Sequence, residues 1–364
     1  MILVTGGTGF VGQEVVRKLL ALGYKVRLLV RDPRRAATLA HHPEVEIVQG
    51  DVLRPETLPA AMTGVKAVIH LIGIIAETSK ITFEQGHVEA TRNVLAAAKQ
   101  AGVTRWVQMS AAGTRPNASS RYHITKWQAE ELVRQSGLDW TVFRPSLIYG
   151  YNHEDKILNL LKLALSWPLN VVTCYSLPLL NGGKPLVQPV SVREVAHCFA
   201  HAASNKTSIG QTFDLVGPVA FSWREMATKI ATALGLSFRY ENVPVLLVLR
   251  ALLWLATVLF PIWIIVSVVQ HHLNLVEAEL ALGFAVVLAA LTSLWRKVII
   301  FNLPAAPLLL IGQILNSFAP RALQMSEQLK MAIEDNAGDP KPAAETFGYV
   351  PESFEAGVAR VVGA

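Results

Sequence analysis

A tyrosine and a lysine four residues apart are the side chains of this sequence best suited to proton transfer. Tyr122 and Lys126 stand at the start of a helical pattern, so both would lie on one helix face, one turn apart. A phenol has a reference pKa of about 10, and a neighbouring ammonium group stabilises its anion. The pair therefore predicts a general acid or base, Tyr122, with Lys126 supporting it and holding a ribose. The alternative interpretation is a solvated helical pair.

A glycine-rich run opens the chain, where a first strand should turn into a first helix. Gly7, Gly9 and Gly12 have the Gly-x-Gly-x-x-Gly spacing, which follows the apolar residues 2–4 and precedes a helical pattern. Such glycines allow a tight turn and let the backbone approach a pyrophosphate at the positive end of a helix. We therefore predict a dinucleotide site formed by Gly6, Gly7, Thr8, Gly9, Phe10, Val11 and Gly12.

Basic residues follow the second predicted strand, residues 25–30. This strand ends in Arg31 where an acidic residue would bind the ribose of NAD, and two more arginines follow closely. Arginine at this place favours a 2′-phosphate, so the sequence predicts NADP(H) in preference to NAD(H). Two alternatives remain open: Asp32 binds a ribose hydroxyl, or the arginines are solvated loop charges.

The elements that would position these residues alternate along the first 150 residues. Apolar strands and amphipathic helices follow each other as a parallel sheet with crossover helices requires. The predicted fold class is therefore α/β, a doubly wound parallel-sheet Rossmann fold, with a smaller C-terminal domain and a hydrophobic helical insertion. The predicted divisions are a cofactor domain at 1–150, a substrate-side domain at 151–243, the insertion at 244–300, and a membrane-proximal segment with a polar tail at 301–364.

Two uncharged stretches lie within the predicted insertion. Residues 251–269 approach the ~20 residues that span a bilayer as a helix, and residues 280–295 form a shorter second stretch. Arginine and lysine flank the outer ends while glutamates occupy the connection, which predicts a hairpin with both ends on the cytoplasmic side. A transmembrane hairpin, an interfacial re-entrant hairpin and a pair of buried core helices all remain open. Residues 298–318, which contain prolines, are predicted to form an interfacial or amphipathic segment.

Composition excludes several classes of function. The 364 residues carry a net charge of +6, but the basic residues are dispersed, which argues against nucleic acid as a partner. Cys174 and Cys198 cannot form a disulfide framework. His197 and His201 have a helical spacing, yet no carboxylate stands near them, so we predict no metal site. Because a strand begins at Ile2, we expect no leader segment and a location at the cytoplasmic face of the inner or plasma membrane, anchored by the hairpin.

The chain resembles extended or atypical members of the short-chain dehydrogenase/reductase superfamily. The resemblance is carried by the glycine run, by Gly50-Asp51-Val52, by the Tyr122 and Lys126 pair and by Arg144-Pro145-Ser146. It implies that Asp51 and Val52 contact the adenine side of the cofactor, that Gly73 lies at the diphosphate-ribose, and that Pro145 and Ser146 neighbour the nicotinamide.

One position departs from this resemblance. Catalytic members carry a serine or threonine that hydrogen-bonds the reacting oxygen, and this chain has Ala112 there. Ser110 or Thr114 would have to serve instead, with Ser110 the preferred candidate. Because removal of one oxyanion-type donor typically costs about 10²–10³ in rate, we expect cofactor binding but weak hydride transfer.

A closer likeness is to bacterial relatives of the nucleotide-binding accessory subunit of respiratory complex I. It rests on residues 68–74, 122–130, 140–146 and 326–336. It implies tight NADPH binding without established turnover, and as partners the dinucleotide, the lipid bilayer and respiratory complex subunits. Three hypotheses follow: a complex I-associated or assembly-linked subunit; an NADPH-dependent membrane oxidoreductase or epimerase acting on a quinone precursor, isoprenoid or sterol-like molecule; and a redox-sensing scaffold.

Overall fold

The computed structural model describes residues 1–150, 176–180, 183–233, 237–241, 297–303 and 325–362. The chain divides into two compact units. The first contains residues 1–155, 185–222 and 305–364, and the second contains residues 156–184 and 223–304. The domain boundaries predicted at 150, 243 and 300 stay predictions.

Seven parallel strands form the central sheet of the first unit, in the order β3-β2-β1-β4-β5-β6-β11. They are β1 (Ile2–Thr5), β2 (Val26–Val30), β3 (Val45–Gln49), β4 (Ala67–His70), β5 (Arg105–Met109), β6 (Asp139–Pro145) and β11 (Gln211–Leu215). Short paired strands accompany them: β7 (Ile148–Tyr149) with β10 (Val190–Ser191), and β9 (Leu186–Val187) with β12 (Phe221–Ser222). The predicted doubly wound parallel-sheet fold is confirmed.

Helices cover both faces of this sheet. They are α1 (Phe10–Ala21), α2 (Ala37–Ala40), α3 (Leu58–Met62), α4 (Ala90–Gln100), α5 (Arg121–Arg134), α6 (Val192–Ala202), α8 (Met325–Ala332), α9 (Lys341–Phe347) and α10 (Phe354–Val362), with a π-helical turn at Glu84–Glu89 before α4. One apolar cluster joins α1, α6 and α9 to the sheet, and another joins α3, α4 and α5 to it. Because β1, β2 and β4 are buried along their whole length, they form the near-continuous apolar runs that the sequence shows.

The second unit contains α7 (Trp223–Ala233) and a three-stranded parallel sheet in the order β13-β14-β8. Its strands are β8 (Ser176–Leu180), β13 (Ser237–Glu241) and β14 (Lys297–Leu303). The prediction of an interfacial or amphipathic segment at 298–318 stays a prediction, and residues 298–303 of it belong to the strand β14. The β-branched run Val298-Ile299-Ile300 favours a strand, and strand pairing prevails there.

The predicted hydrophobic hairpin lies outside the described residues, apart from residues 297–300 in β14. The part of the chain that the structure describes contains no helix with the length and apolar character needed to cross a bilayer.

Candidate functional site

A cleft of about 460 Å³ lies beside the carboxyl ends of β1, β2 and β4, where the strand order reverses. The predicted cofactor residues that line it are Gly6, Thr8, Gly9, Arg31, Asp51, Val52 and Gly73. Gly7, Phe10, Val11, Gly12, Lys126, Pro145 and Ser146 are absent from its lining, as are Tyr122 and Ser110. The cleft thus gathers the residues predicted for the adenosine and diphosphate, but not those predicted for proton transfer.

The glycine run is fixed by close backbone packing. Gly6 has a φ of +77°, a conformation that favours glycine. A Cβ atom at Gly12 would overlap the carbonyl oxygen of Gly6, and one at Gly7 would lie 2.7 Å from the Leu28 side chain. These approaches leave a bare turn before α1, and its backbone suits a pyrophosphate.

Charged side chains line the cleft after β2. Arg34 is turned onto Asp32: its Nε donates to Oδ1 at 2.9 Å and its second terminal nitrogen donates to Oδ2 at 2.9 Å. The hydrogen bonds from Arg34 lower the pKa of Asp32. Arg34 therefore hydrogen-bonds both oxygens of Asp32, which is the one carboxylate between Arg31 and Arg35. Arg31 and Arg35 themselves are exposed at the cleft.

Asp51 and Val52 are held by the turn that follows β3. The Asp51 carboxylate accepts a hydrogen bond from the Leu53 amide at 3.0 Å, and the Val52 carbonyl accepts one from Asn93 Nδ2 at 2.9 Å. Asn93 lies on α4, so this helix fixes the turn at the predicted adenine side of the cleft.

Lys126 is 4% exposed and lies behind residues 71–74, the loop that lines the cleft and is called the cleft loop below. Its Nζ donates to the carbonyl of Met109 at 3.2 Å, and a Cβ atom at Gly73 would lie 2.6 Å from that nitrogen. Burial lowers the pKa of Lys126 to about 8, against the opposing effect of Glu130. A side chain at position 73 would therefore displace this ammonium group from its place beside the loop.

Tyr122 is 9% exposed and sits among aromatic rings and apolar side chains. Its ring lies edge-on to His87, with a centroid distance of 5.3 Å, and edge-on to Phe83 at 5.8 Å. Met331, from α8, packs against the same cluster. Burial raises the pKa of Tyr122 to about 12, so the phenol keeps its proton at neutral pH.

The neighbouring hydroxyls have other partners. Ser110 Oγ is 3.4 Å from Thr114 Oγ1. Ser146 Oγ donates to the carbonyl of Asn336 at 2.7 Å and accepts from the Gln188 amide at 3.3 Å. Pro145 ends β6, and its carbonyl accepts from the Ala112 amide at 2.9 Å.

A C-terminal segment, residues 327–338, covers the side of the site that contains Tyr122. Glu327 accepts a hydrogen bond from the Arg121 amide at 2.7 Å, at the start of α5. Glu334 accepts from the Ser119 amide at 3.0 Å and pairs with Arg115 at 2.9 Å. These carboxylates hold the segment over the first turn of the helix that carries Tyr122.

Asp335 and Asn336 fix the far end of the same segment. The Leu186 amide donates to Asp335 Oδ1 at 2.8 Å, and the Asn336 amide donates to the Leu186 carbonyl at 2.7 Å. The Asn336 carbonyl also accepts from the Gln188 amide at 3.1 Å. The predicted polar tail is therefore an integral part of the first unit, a role that its composition did not indicate.

Two buried histidines also adjoin the site and were not predicted as functional. His70, at the end of β4, is within 2.8 Å of Thr5 Oγ1 through its Nδ1 atom, and burial lowers its pKa to about 3. His87 contacts the cleft loop and α5.

The histidine pair on α6 makes hydrogen bonds within the protein. His197 hydrogen-bonds the Phe347 carbonyl at 2.8 Å. No cluster of three metal-ligating side chains occurs in the described ranges.

The glycine cradle and the cleft fit a bound dinucleotide, and comparisons with known proteins agree. A family model for NAD(P)H-binding domains matches residues 6–158. NAD(P)H azoreductase of Xenophilus azovorans is 31% identical over 245 residues, which cover 67% of this chain and 77% of that protein. A mitochondrial protein of Arabidopsis thaliana, NADH dehydrogenase [ubiquinone] 1 alpha subcomplex subunit 9, is 31% identical over 247 residues. That match covers 66% of this chain and 60% of the plant protein.

Solved structures show the same fold. The NADP(H) complex of triphenylmethane reductase from a Citrobacter species has a TM-score of 0.64, with 17% identity, 99% of this chain covered and 100% of that chain covered. The azoreductase match and the family model establish that the chain belongs to the NAD(P)H-binding domain family.

Proposed function

We propose that this chain is an NADP(H)-binding subunit or assembly partner of a respiratory complex, in which the cofactor is held mainly for its structural effect. The observation that carries the proposal is the contrast between the two halves of the site. The adenosine and diphosphate side forms a cleft, whereas Tyr122 is buried beneath the C-terminal segment of the same chain.

The charges at the cleft support NADP(H) as the cofactor. Arg31 and Arg35 are exposed there, and guanidinium groups suit a 2′-phosphate. The carboxylate of Asp32, which would favour the ribose hydroxyls of NAD, is engaged by Arg34. Arg31→Asp should therefore weaken NADPH binding and improve NADH binding, and fluorescence titration with both dinucleotides measures this change.

The chemistry at Tyr122 supports a structural role. A phenol with a pKa of about 12 is a poor base at neutral pH. Position 112, where catalytic relatives carry a hydroxyl, is a buried alanine. Ser110 and Ser146 have hydrogen-bonding partners inside the protein. A bound nicotinamide would thus meet no free donor pair among these residues.

Relatives and composition support the partners. The plant relative is named as a subunit of NADH dehydrogenase. The uncharged stretches 251–269 and 280–295 are apolar enough to meet a bilayer, which would place the protein at the cytoplasmic face of the membrane as a hairpin-anchored subunit.

A second candidate, a reductase for a lipid-soluble substrate, is favoured by two observations. Tyr122 and Lys126 keep their helical spacing on α5, and another relative is named as an NAD(P)H azoreductase. In this case Tyr122 would deliver a proton, Lys126 would hold the ribose, and Ser110 or Thr114 would contact the reacting oxygen after the C-terminal segment has moved away.

The test is extraction of native membranes with a mild detergent, followed by native electrophoresis and identification of the proteins that migrate with this chain. The proposal expects comigration with respiratory complex subunits. Migration alone, with NADPH bound and with NADPH oxidation in the presence of lipid extracts, would contradict it and favour the reductase. Tyr122→Phe distinguishes the two: it abolishes activity in the reductase and leaves assembly unchanged in the subunit.

A further inference from the structure

We propose that His87 is a positioning residue of the cofactor site, which ties the loop at residues 71–74 to the helix that carries Tyr122 and Lys126. This inference rests on the proposed binding of NADP(H), because the loop lines the cleft in which the cofactor would lie. It concerns how occupation of that cleft is linked to the side of the site that holds the tyrosine.

The backbone around His87 is unusual. His87 lies in the π-helical turn Glu84–Glu89, between the cleft loop and α4, and it is 1% exposed. Short π-helical turns are rare and often occur at functional sites. The preceding Gly86 lines the cleft, and a Cβ atom there would lie 3.2 Å from Ile74 Cγ1. The turn therefore packs closely against the loop, and the His87 ring lies in hydrogen-bonding contact with Ile74.

Both ring nitrogens are engaged, and their partners belong to different elements. Nε2 lies 3.1 Å from the Ile74 amide nitrogen and 3.0 Å from the Ile74 carbonyl oxygen, and Nδ1 lies 2.8 Å from Thr125 Oγ1. The neutral ring accepts from the Ile74 amide when its hydrogen is on Nδ1, and it donates to the Ile74 carbonyl when its hydrogen is on Nε2. The Thr125 hydroxyl complements Nδ1 in either tautomer and also lies within hydrogen-bonding distance of the Arg121 and Tyr122 carbonyls, at 2.9 Å and 3.0 Å. In both tautomers the ring joins the loop to α5.

The surroundings of the ring keep it neutral. Phe83 stacks on it with a centroid distance of 5.5 Å, and Tyr122 meets it edge-on at 5.3 Å. Burial, with the nearby charge of Lys126, holds the pKa of His87 well below its usual range. A neutral ring offers one donor and one acceptor to Ile74 and Thr125, whereas an imidazolium has two donors and no acceptor.

The loop and α5 are joined at a second point one residue away. Gly73 approaches Lys126 Nζ so closely that a side chain at position 73 would push the ammonium group aside. A shift of the loop, as a cofactor enters or leaves, would therefore act on Lys126 directly and on Tyr122 through His87. Loss of the imidazole should release the loop and weaken cofactor binding.

Three variants of the full chain test this inference. His87→Leu removes both side-chain hydrogen bonds, and His87→Gln keeps one donor and one acceptor. His201→Leu is the control, because His201 hydrogen-bonds the carbonyl of His197 within its own helix, α6. NADPH affinity is measured by fluorescence titration and retention of the fold by circular dichroism. We expect the dissociation constant to rise about 5- to 30-fold in His87→Leu and less than about threefold in the other two variants. Wild-type affinity in folded His87→Leu, or no rescue by glutamine, would overturn the inference.

A second measurement needs no variant. Nitrogen-15 spectra of the wild-type protein without cofactor should show His87 as a neutral imidazole between pH 5 and pH 8. Protonation of His87 in this range would overturn the inference. Failure of the wild-type protein to bind NADPH would instead overturn the proposed function, so the two failures are distinguishable.

Discussion

Substitution of Glu334 by alanine should release the C-terminal segment that covers Tyr122. The Glu334 carboxylate accepts hydrogen bonds from the amide and hydroxyl of Ser119 and pairs with Arg115. A hydrogen bond to a charged group contributes about 1.5–3 kcal/mol, and a half-exposed ion pair about 0–1 kcal/mol. Because Ser119 is exposed, water replaces part of this loss. We therefore expect the free energy of local opening of residues 327–338 to fall by about 2–3 kcal/mol.

Hydrogen exchange of the backbone amides measures this loss directly. A change of 2–3 kcal/mol corresponds to an opening equilibrium about 30- to 140-fold larger, with exchange of the segment faster by the same factor. Glu345→Ala is the matched control, because Glu345 is exposed on the neighbouring helix α9. If exchange at residues 327–338 is the same in Glu334→Ala as in the control, the carboxylate does not hold the segment and the reasoning fails.

The Glu334 carboxylate should also make the local opening of the C-terminal segment depend on pH in the acid range. Burial opposes ionisation of Glu334, but the hydrogen bonds from Ser119 and the charge of Arg115 outweigh it and lower the pKa of Glu334. A carboxyl whose pKa is depressed by folding stabilises the native state fully above its unfolded pKa, and this contribution is lost as the pH falls through the native value. Exchange in the segment should accordingly rise below the reference pKa of about 4.3 in the wild-type protein, but not in Glu334→Gln.

Three further predictions concern the buried side chains of the site. Tyr122→Phe should leave NADPH affinity and the thermal unfolding midpoint nearly unchanged, and a large loss of either would mean that the hydroxyl has a structural partner. Because the pKa of Lys126 is about 8, NADPH affinity should weaken as the pH rises through 8, and titrations of Lys126→Met should lack this dependence. His70 stays neutral in the native state, with a pKa of about 3, whereas it takes up a proton below about pH 6.5 when unfolded. Its share of the unfolding free energy should fall by about 1.4 kcal/mol per pH unit below that value, and chemical denaturation of His70→Asn should show the shallower slope.

Much of the cofactor half could be predicted because its signals are local. The strands β1, β2 and β4 are buried and mostly apolar, and the glycine turn between β1 and α1 has a fixed spacing. Arg31 directly follows the buried strand β2, and Asp51 stands two residues after β3, so the parallel sheet brings both to the cleft. The position of a residue can be predicted from sequence when a single strand or helix determines it.

The covered half depends on contacts that no local pattern reveals. Two of the five residues of β11 are exposed and a third is half-buried, so its apolar signal is weak although it completes the main sheet. Glu334 lies 215 residues from its partner Ser119, and its polar neighbours suggested a turn-rich tail. Ser146 follows a family motif, yet its hydroxyl is bound to Asn336, 190 residues away. Long-range partners of this kind become visible only when the chain is folded.

The central claim is that the chain binds NADP(H) while its own C-terminal segment withholds the tyrosine side from reaction. The most direct test is to load the purified full chain with NADPH, add a quinone analogue, and follow the oxidation state of the bound cofactor. We predict that the protein retains a stoichiometric amount of NADPH in the reduced form, in the wild type and in Tyr122→Phe alike. Rapid oxidation in the wild type that Tyr122→Phe abolishes would contradict the account and show that the site is a working reductase.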